Sequence, residues 1–117
     1  MNCHSILIVE DDDEIRNLLR QAVEMEGYDA ATASNGKEGL DALSRTKPCL
    51  ILLDLMMPVM DGWAFARSVE ADAALAQIPI VVVTAYANKV QSIKAKSILK
   101  KPVDLGCLFK TIREYCE

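Results

Sequence analysis

Short apolar runs and longer stretches of helical spacing alternate along the chain. The runs are rich in Val, Ile and Leu and predict five β-strands, of which the second is the weakest: 5–9, 28–33, 49–53, 78–83 and 97–99. Apolar runs of this length that end at a breaker are typical of strands buried on both faces of a parallel sheet. The central run ends in Asp54 and is followed by Pro58, which stops any continuation of the strand.

Helical periodicity fills the segments between the strands. The first helix starts at Asp12 or Asp13, which can cap it, and ends at Gly27. The spacing predicts that Ile15, Leu18, Leu19, Ala22 and Val23 form its inward face. Asp61 can cap a third helix. The other predicted helices cover 37–44, 88–95 (short) and 104–116, the last with Leu105, Leu108, Phe109, Ile112 and Cys116 on one face.

Five strands that alternate with five helices indicate an α/β fold. Parallel strands joined by helical crossovers form a doubly wound sheet with helices on both faces. The chain of 117 residues has the length of one domain. We therefore predict a single domain over 1–117, with no linker or repeat.

Polar residues follow four of the predicted strands. Glu10 and Asp11 follow the first strand, Asp54 the third, Thr84 the fourth and Lys101 the fifth. The carboxyl ends of parallel strands share one edge of a sheet, where ligands bind in such folds. The sequence therefore predicts one rim that carries carboxylates, a hydroxyl and an ammonium.

These residue types suit phosphoryl transfer. Clustered carboxylates remain ionised together only when a cation joins them, and Mg²⁺ prefers such oxygen ligands. Asp54 could then accept a phosphoryl group as an aspartyl phosphate. Thr84 could hydrogen-bond a phosphoryl oxygen, and Lys101 could pair with it.

The motifs LIVEDDD, LLDLMMPVMDG, VVVTA and KKP, in this order and spacing, resemble the receiver domain of two-component response regulators. The resemblance covers essentially the whole chain. It implies a flavodoxin-like sheet in the order 2-1-3-4-5, and a phosphoacceptor rather than an enzyme. It also implies that Asp54 takes a phosphoryl group from the phosphohistidine of a sensor histidine kinase or phosphotransfer protein, and that the product signals to a downstream protein.

The resemblance further implies roles for the residues around Asp54. Glu10 and Asp11 would hold Mg²⁺ together with Asp54 and the backbone carbonyl of Met56, while Thr84 and Lys101 would sense the phosphorylated state. We prefer Lys101 to Lys100, since Lys101 directly precedes a proline and strand alternation turns Lys100 to the opposite face.

The sequence departs from the family pattern after the fourth strand. Ile98 stands where the family usually has an aromatic residue, and the stretch from Thr84 to Lys101 is shorter than usual. Output through a reshaped surface near the fourth helix and fifth strand is therefore expected. Tyr86 and Met56 are predicted to flank the path of attacking water, and the resemblance implies that these positions tune the lifetime of the phosphoryl group.

Other readings of the same residues remain open. The main alternative is a degenerate receiver that binds proteins without phosphorylation. Asp12 and Asp13 fit a solvated helix start better than a metal site. A flavodoxin-like electron carrier is disfavoured, because the acidic run EDDDE would repel a phosphate. An aspartyl phosphatase is disfavoured by Met56, which stands where a second acid is needed.

Charge and composition limit the classes of partner and the cellular location that we expect for this protein. The net charge of −4 argues against direct nucleic-acid binding, which needs a basic surface. No apolar run reaches the roughly 20 residues of a membrane span, and no secretory signal is apparent, so we expect a cytoplasmic protein. The start MNCHSILIVEDD favours a true amino terminus, whereas the carboxyl end is ambiguous, so both a stand-alone receiver and a piece of a longer protein stay open.

The cysteine and histidine pattern gives no metal site. The spacing of Cys3, Cys49, Cys107 and Cys116 matches no metal-ligand motif. We prefer the interpretation that the cysteines are small buried hydrophobic residues. His4 has no second ligand beside it, so no histidine chemistry is predicted.

Overall fold

The computed structural model describes residues 5–85 and 93–116. Within them, five strands pair in parallel in the order β2-β1-β3-β4-β5. The strands are β1 (Ser5–Val9), β2 (Asp29–Ala33), β3 (Leu50–Leu53), β4 (Ile80–Thr84) and β5 (Ser97–Lys100). The predicted sheet order is confirmed.

Four α-helices and one 3-10 helix occur in the described residues. They are α1 (Asp13–Met25), α2 (Gly36–Leu43), α3 (Gly62–Ala71), the 3-10 helix (Leu75–Gln77) and α4 (Leu105–Cys116). The helix predicted at 88–95 lies mainly outside the described residues, and the described part of it, 93–95, is not helical. None of the helices in the described ranges combines the length and the apolar character that a membrane crossing requires.

Side-chain caps mark the starts of the described α-helices, as α1 and α3 illustrate. Asp12 Oδ1 accepts a hydrogen bond from Ile15 N (3.0 Å), and Asp61 Oδ1 accepts one from Ala64 N (2.9 Å). Each cap pairs one of the backbone N–H groups that the first turn of a helix leaves without a partner. Asp12, not Asp13, therefore caps α1.

The sheet separates two apolar cores. Alternate residues of the strands point to opposite faces, so one set packs against α2 and α3 and the other against α1 and α4. The largest fully buried side chains of the two helical layers are Phe65 on α3 and Leu19, Leu108 and Ile112 on α1 and α4. Helices therefore cover both faces of the sheet.

Three predicted core positions are wrong. Leu18 and Leu105 are 41% and 38% exposed, because each lies at the border of its helix's apolar stripe and the helix turns that border toward solvent. Cys107, in the first turn of α4, is exposed instead of being a small buried residue.

The fourth strand starts two residues later than predicted. Ile78 ends the 3-10 helix, and Pro79 has no N–H to donate to a neighbouring strand. The Pro79 carbonyl still accepts a hydrogen bond from Ile51 N (3.0 Å). Pro79 therefore bonds to β3 although β4 begins only at Ile80.

Candidate phosphoacceptor site

Three ionisable residues follow directly after β1, β3 and β5. The backbone N–H of Asp54 donates to the Val9 carbonyl (2.9 Å), and that of Lys101 donates to the Thr84 carbonyl (2.9 Å). Each strand's pairing thus extends one residue beyond its end. This holds Glu10, Asp54 and Lys101 at the same rim of the sheet.

The Lys101 ammonium bridges the two buried carboxylates. Its Nζ lies 2.8 Å from Glu10 Oε1 and 3.3 Å from Asp54 Oδ1. Glu10 is 1% and Asp54 is 5% exposed. Keeping two carboxylates ionised this far from solvent costs free energy. One cation shared between them offsets only part of that cost.

Burial and mutual repulsion change the protonation of the carboxylates. Loss of solvation, together with the charge of Asp54, raises the pKa of Glu10 to about 7, although Lys101 acts in the opposite direction. Loss of solvation also raises the pKa of Asp54, and Lys101 offsets part of the rise. For Lys101, burial favours the neutral amine, but hydrogen bonding and the charge of Glu10 outweigh it and raise the pKa of the ammonium.

The carboxylates of Glu10, Asp11 and Asp54 can meet at one cation. One oxygen of each lies within 4.8 Å of the others. Glu10 Oε2 accepts a hydrogen bond from Asp12 N (3.1 Å), whereas Oε1 is shielded from solvent and faces the Lys101 ammonium at 2.8 Å. Three carboxylates gathered this closely, with one ammonium shared by two of them, match the oxygen ligands that Mg²⁺ prefers.

A cavity of about 230 Å³ gives solvent access to this cluster. Met56, in the loop after β3, lines this cavity and is 52% exposed. The lining residues are Glu10, Asp11, Asp12, Ile15, Asp54, Met56, Ala85 and Lys101. The cavity therefore brings together all but one of the predicted site residues.

Thr84 is the exception. It ends β4 and is fully buried, while its neighbour Ala85 lines the cavity. The backbone bond to Lys101 places Thr84 beside the site. Lys100 pairs with Thr84 in the sheet and is exposed on the strand, as alternation predicts. Tyr86 lies outside the described residues.

Gly62 supports the site in a way that the sequence analysis did not assign. Its N–H donates to the Leu55 carbonyl (2.9 Å), and a Cβ at this position would lie 2.3 Å from the backbone oxygen of Asp54. Only glycine allows α3 to start this close to the phosphoacceptor candidate. The signal was present in the sequence, as a glycine directly after the capping Asp61.

Arg16 is a second residue that the sequence analysis missed. Its Nη1 donates to the Glu10 carbonyl (3.0 Å) and lies 3.4 Å from the Asp11 carbonyl, and its Nη2 pairs with Asp13. The guanidinium ties the loop after β1 to the first turn of α1. A basic residue three positions into a helix that follows an acidic run is the pattern that could have indicated it.

Comparison with known proteins agrees with this geometry. The family model described as response regulator receiver domain matches residues 6–113. The chain belongs to this family. The receiver resemblance inferred from the four motifs is therefore confirmed.

Similar receivers occur in several bacteria. The polar-differentiation response regulator DivK of Brucella anthropi is 31% identical over 116 residues, which is 95% of this chain and 94% of DivK. The response regulator PleD of Caulobacter vibrioides is 35% identical over 113 residues, which is 92% of this chain but 25% of PleD.

Solved receiver structures share the fold. The signal receiver domain of a signal transduction histidine kinase from Syntrophus aciditrophicus superposes with a TM-score of 0.89 at 30% identity, covering 97% of this chain and 89% of that one. The chemotaxis protein CheY4 of Vibrio cholerae gives a TM-score of 0.87 at 26% identity, covering 97% and 98%.

Proposed function

We propose that this receiver is a phosphoacceptor whose Asp54 takes a phosphoryl group from a phosphohistidine. The observation that supports this best is the rim cluster: the Glu10, Asp11 and Asp54 carboxylates gather within 4.8 Å, and Lys101 contacts two of them. A cluster of this kind combines a carboxylate nucleophile with groups that can neutralise phosphoryl charge.

In the proposed reaction, Asp54 is the nucleophile. One of its carboxylate oxygens bonds to phosphorus while the bond between phosphorus and the donor's histidine nitrogen breaks, and the electron pair leaves with the imidazole. Lys101 already lies 3.3 Å from Asp54 Oδ1, so its ammonium can pair with a phosphoryl oxygen without crossing the cavity. Thr84, at the end of β4, would meet the phosphoryl group only after a local change, because it is fully buried.

The residues present fit Mg²⁺ as the cofactor. Glu10, Asp11 and Asp54 would hold it, and Met56, which lines the same cavity, would contribute its backbone carbonyl. When bound, the ion neutralises charge on the carboxylates and on the transferring phosphoryl group. Glu10 then must give up its proton, because only the carboxylate form binds a cation.

The proposed partners are a sensor histidine kinase or phosphotransfer protein upstream and a target protein downstream. We propose that these contacts take place in the cytoplasm, and that the protein assists its own phosphorylation without being an enzyme. Ile98, 42% exposed on β5, would contribute to the surface that a downstream partner contacts.

Intact-mass measurement after incubation with acetyl phosphate tests the proposal. We expect one phosphoryl adduct in the presence of Mg²⁺, and loss of the adduct when a chelator removes the ion. Asp54→Asn should abolish the adduct, because an amide oxygen is a poor nucleophile. Asp41→Asn is the matched control, since Asp41 is an exposed carboxylate on α2 and its variant should be labelled normally.

Absence of an adduct on the folded wild-type protein, under conditions that label another receiver, would contradict the proposal. That result would favour the alternative, a receiver that binds partners without phosphorylation. An adduct that persists in Asp54→Asn would show that another residue accepts the phosphoryl group.

A further inference from the structure

Two cysteines that are distant in sequence meet beside the core of the sheet. Cys49 directly precedes β3, and Cys116 is the last residue of α4. Their sulfur atoms lie 2.7 Å apart, and both residues are half-buried thiols. This contact lies at the amino end of β3, whereas Asp54 follows its carboxyl end.

Both sulfurs are held by well-packed elements. Cys49 N donates to the Ser5 carbonyl (2.8 Å), and Cys49 Sγ lies 3.3 Å from the same oxygen. Cys116 follows Ile112 by four residues, so it lies on the same face of α4 as this fully buried side chain. The two thiols therefore meet because the sheet and α4 position them, not because a flexible loop carries one to the other.

A small reagent can reach Cys49. Cys49 lines an open surface cleft of about 320 Å³ together with Lys47, Pro48 and Ile78. The positive charge of Lys47 in this cleft favours anionic reagents, among them glutathione. In contrast, Cys107 is exposed on α4 but is separated from Cys116 by two and a half helical turns.

We propose that Cys49 and Cys116 form a reversible disulfide in response to low-molecular-weight disulfides such as oxidised glutathione. The bond would join the start of β3 to the end of α4. In a compartment that glutathione keeps reducing, disulfides of this kind are transient and redox-sensing.

The exchange proceeds in two balanced steps. Cys49, which lines the cleft, loses its proton to solvent, and its thiolate attacks one sulfur of oxidised glutathione; the S–S bond breaks and one glutathione thiolate leaves. Cys116, whose sulfur lies 2.7 Å from that of Cys49, then loses its proton and attacks the Cys49 sulfur of the mixed disulfide. The second glutathione leaves, so two protein thiols are oxidised and one glutathione disulfide is reduced to two thiols.

The expected consequence is a more stable fold. A bond between residues 49 and 116 closes a loop that includes β3, α3 and β4, and this removes conformational freedom from the unfolded chain. We expect the Tm of the oxidised protein to exceed that of the reduced protein by on the order of 10 °C.

Peptide mapping in glutathione buffers of rising oxidised-to-reduced ratio tests this proposal. The full chain carrying Cys3→Ser and Cys107→Ser retains only the proposed pair, and should lose two hydrogens in intact mass. Tryptic digestion without reductant should join peptide 46–67 to peptide 114–117, and the rise in Tm should accompany this link. Dithiothreitol should reverse both.

Cys116→Ser is the decisive variant, because it changes the last residue of α4 and leaves the buried residues of the helix intact. It should fold with the Tm of the reduced protein and show no change with oxidant; Cys49→Ser should behave alike. Glutathione adducts on both cysteines without a link between them, or an unchanged rise in Tm in Cys116→Ser, would overturn the proposal. Asp54→Asn should still form the disulfide, which separates this site from the phosphoacceptor.

Discussion

Glu10 illustrates how a single buried carboxylate couples the site to pH. The pKa of this carboxyl is about 4.5 in the unfolded chain, and burial raises it to about 7 in the folded protein. Between these values the folded protein holds more protons than the unfolded chain, so Glu10's contribution to stability is complete below pH 4.5 and is lost as the pH rises through 7. The raised pKa of Asp54 acts in the same direction.

We expect Mg²⁺ affinity to depend steeply on pH for this reason. Binding the ion requires removal of the Glu10 proton, so the affinity should fall about tenfold per pH unit below pH 7 and level off above it. Titration calorimetry between pH 5.5 and 8.5 measures this. Buffers of different ionisation enthalpy would also reveal the released proton.

Glu10→Gln provides the comparison for that titration. The amide keeps the shape of the side chain but has no proton to release, so the pH dependence of Mg²⁺ binding should flatten and the affinity should fall. A slope in Glu10→Gln equal to that of the wild type would assign the proton to another group. The Lys101 ammonium, whose pKa is raised, stays charged throughout this range.

At the scale of elements, the junction between β3 and α3 carries a close backbone contact. The loop contains Val59 at a positive φ of 69°, a conformation that β-branched residues rarely adopt, and Met60 N donates to the Pro58 carbonyl (2.7 Å). The loop turns back so that Gly62 meets the backbone of Asp54 and Leu55.

Gly62→Ala should therefore disturb both the fold and the site. The added methyl group would lie 2.3 Å from the Asp54 carbonyl oxygen and 2.7 Å from Leu55 Cα, and neither backbone atom can move without shifting β3. We expect a loss of at least about 2 kcal/mol in the free energy of unfolding, as for other overpacked sites. Urea denaturation measures it.

Gly106→Ala is the matched control within α4. Its added Cβ would approach only one side-chain oxygen, Asp104 Oδ1, at 3.1 Å, and alanine favours helix over glycine by up to about 1 kcal/mol. Equal effects of the two substitutions would show that close approach is not the reason for glycine at position 62.

At the scale of the whole molecule, α4 and the sheet stabilise each other through two fully buried side chains, Leu108 and Ile112. The charge pair between Arg113 Nε and Glu26 Oε1 (2.9 Å) also joins α4 to the segment after α1. Because Arg113 is 61% exposed, this pair contributes little. Apolar packing therefore decides the position of the helix.

Ile112→Ala should lower the free energy of unfolding by about 2–5 kcal/mol, because it removes buried methylene groups and leaves a cavity. Leu105→Ala, at a residue 38% exposed on the same helix, should cost clearly less. Guanidinium unfolding followed by circular dichroism compares the two. Similar costs would mean that α4 is not held by its buried face.

Most of the architecture could be read from the sequence because it depends on local patterns. Apolar runs ending in polar residues gave the strands, and the spacing of Leu19, Ala22 and Val23 gave the buried face of α1. The site residues Glu10, Asp54 and Lys101 were predicted together because parallel strands bring their carboxyl ends to one edge. The four motifs that contain these residues and Thr84 also indicated the receiver family, which the comparison with the family model confirms.

The packing of side chains decided the rest. Helical spacing cannot tell the centre of an apolar stripe from its border, so only the docked helices show that Leu18 and Leu105 face solvent. Nor can sequence spacing show that Thr84 is enclosed, that Lys101 contacts two carboxylates, or that the sulfurs of Cys49 and Cys116 meet. The sequence by itself determined the order of the elements and the chemistry at the strand ends, since both follow from local residue types. The tertiary structure alone decided which of these groups touch, because contacts between residues distant in the chain depend on how the layers pack.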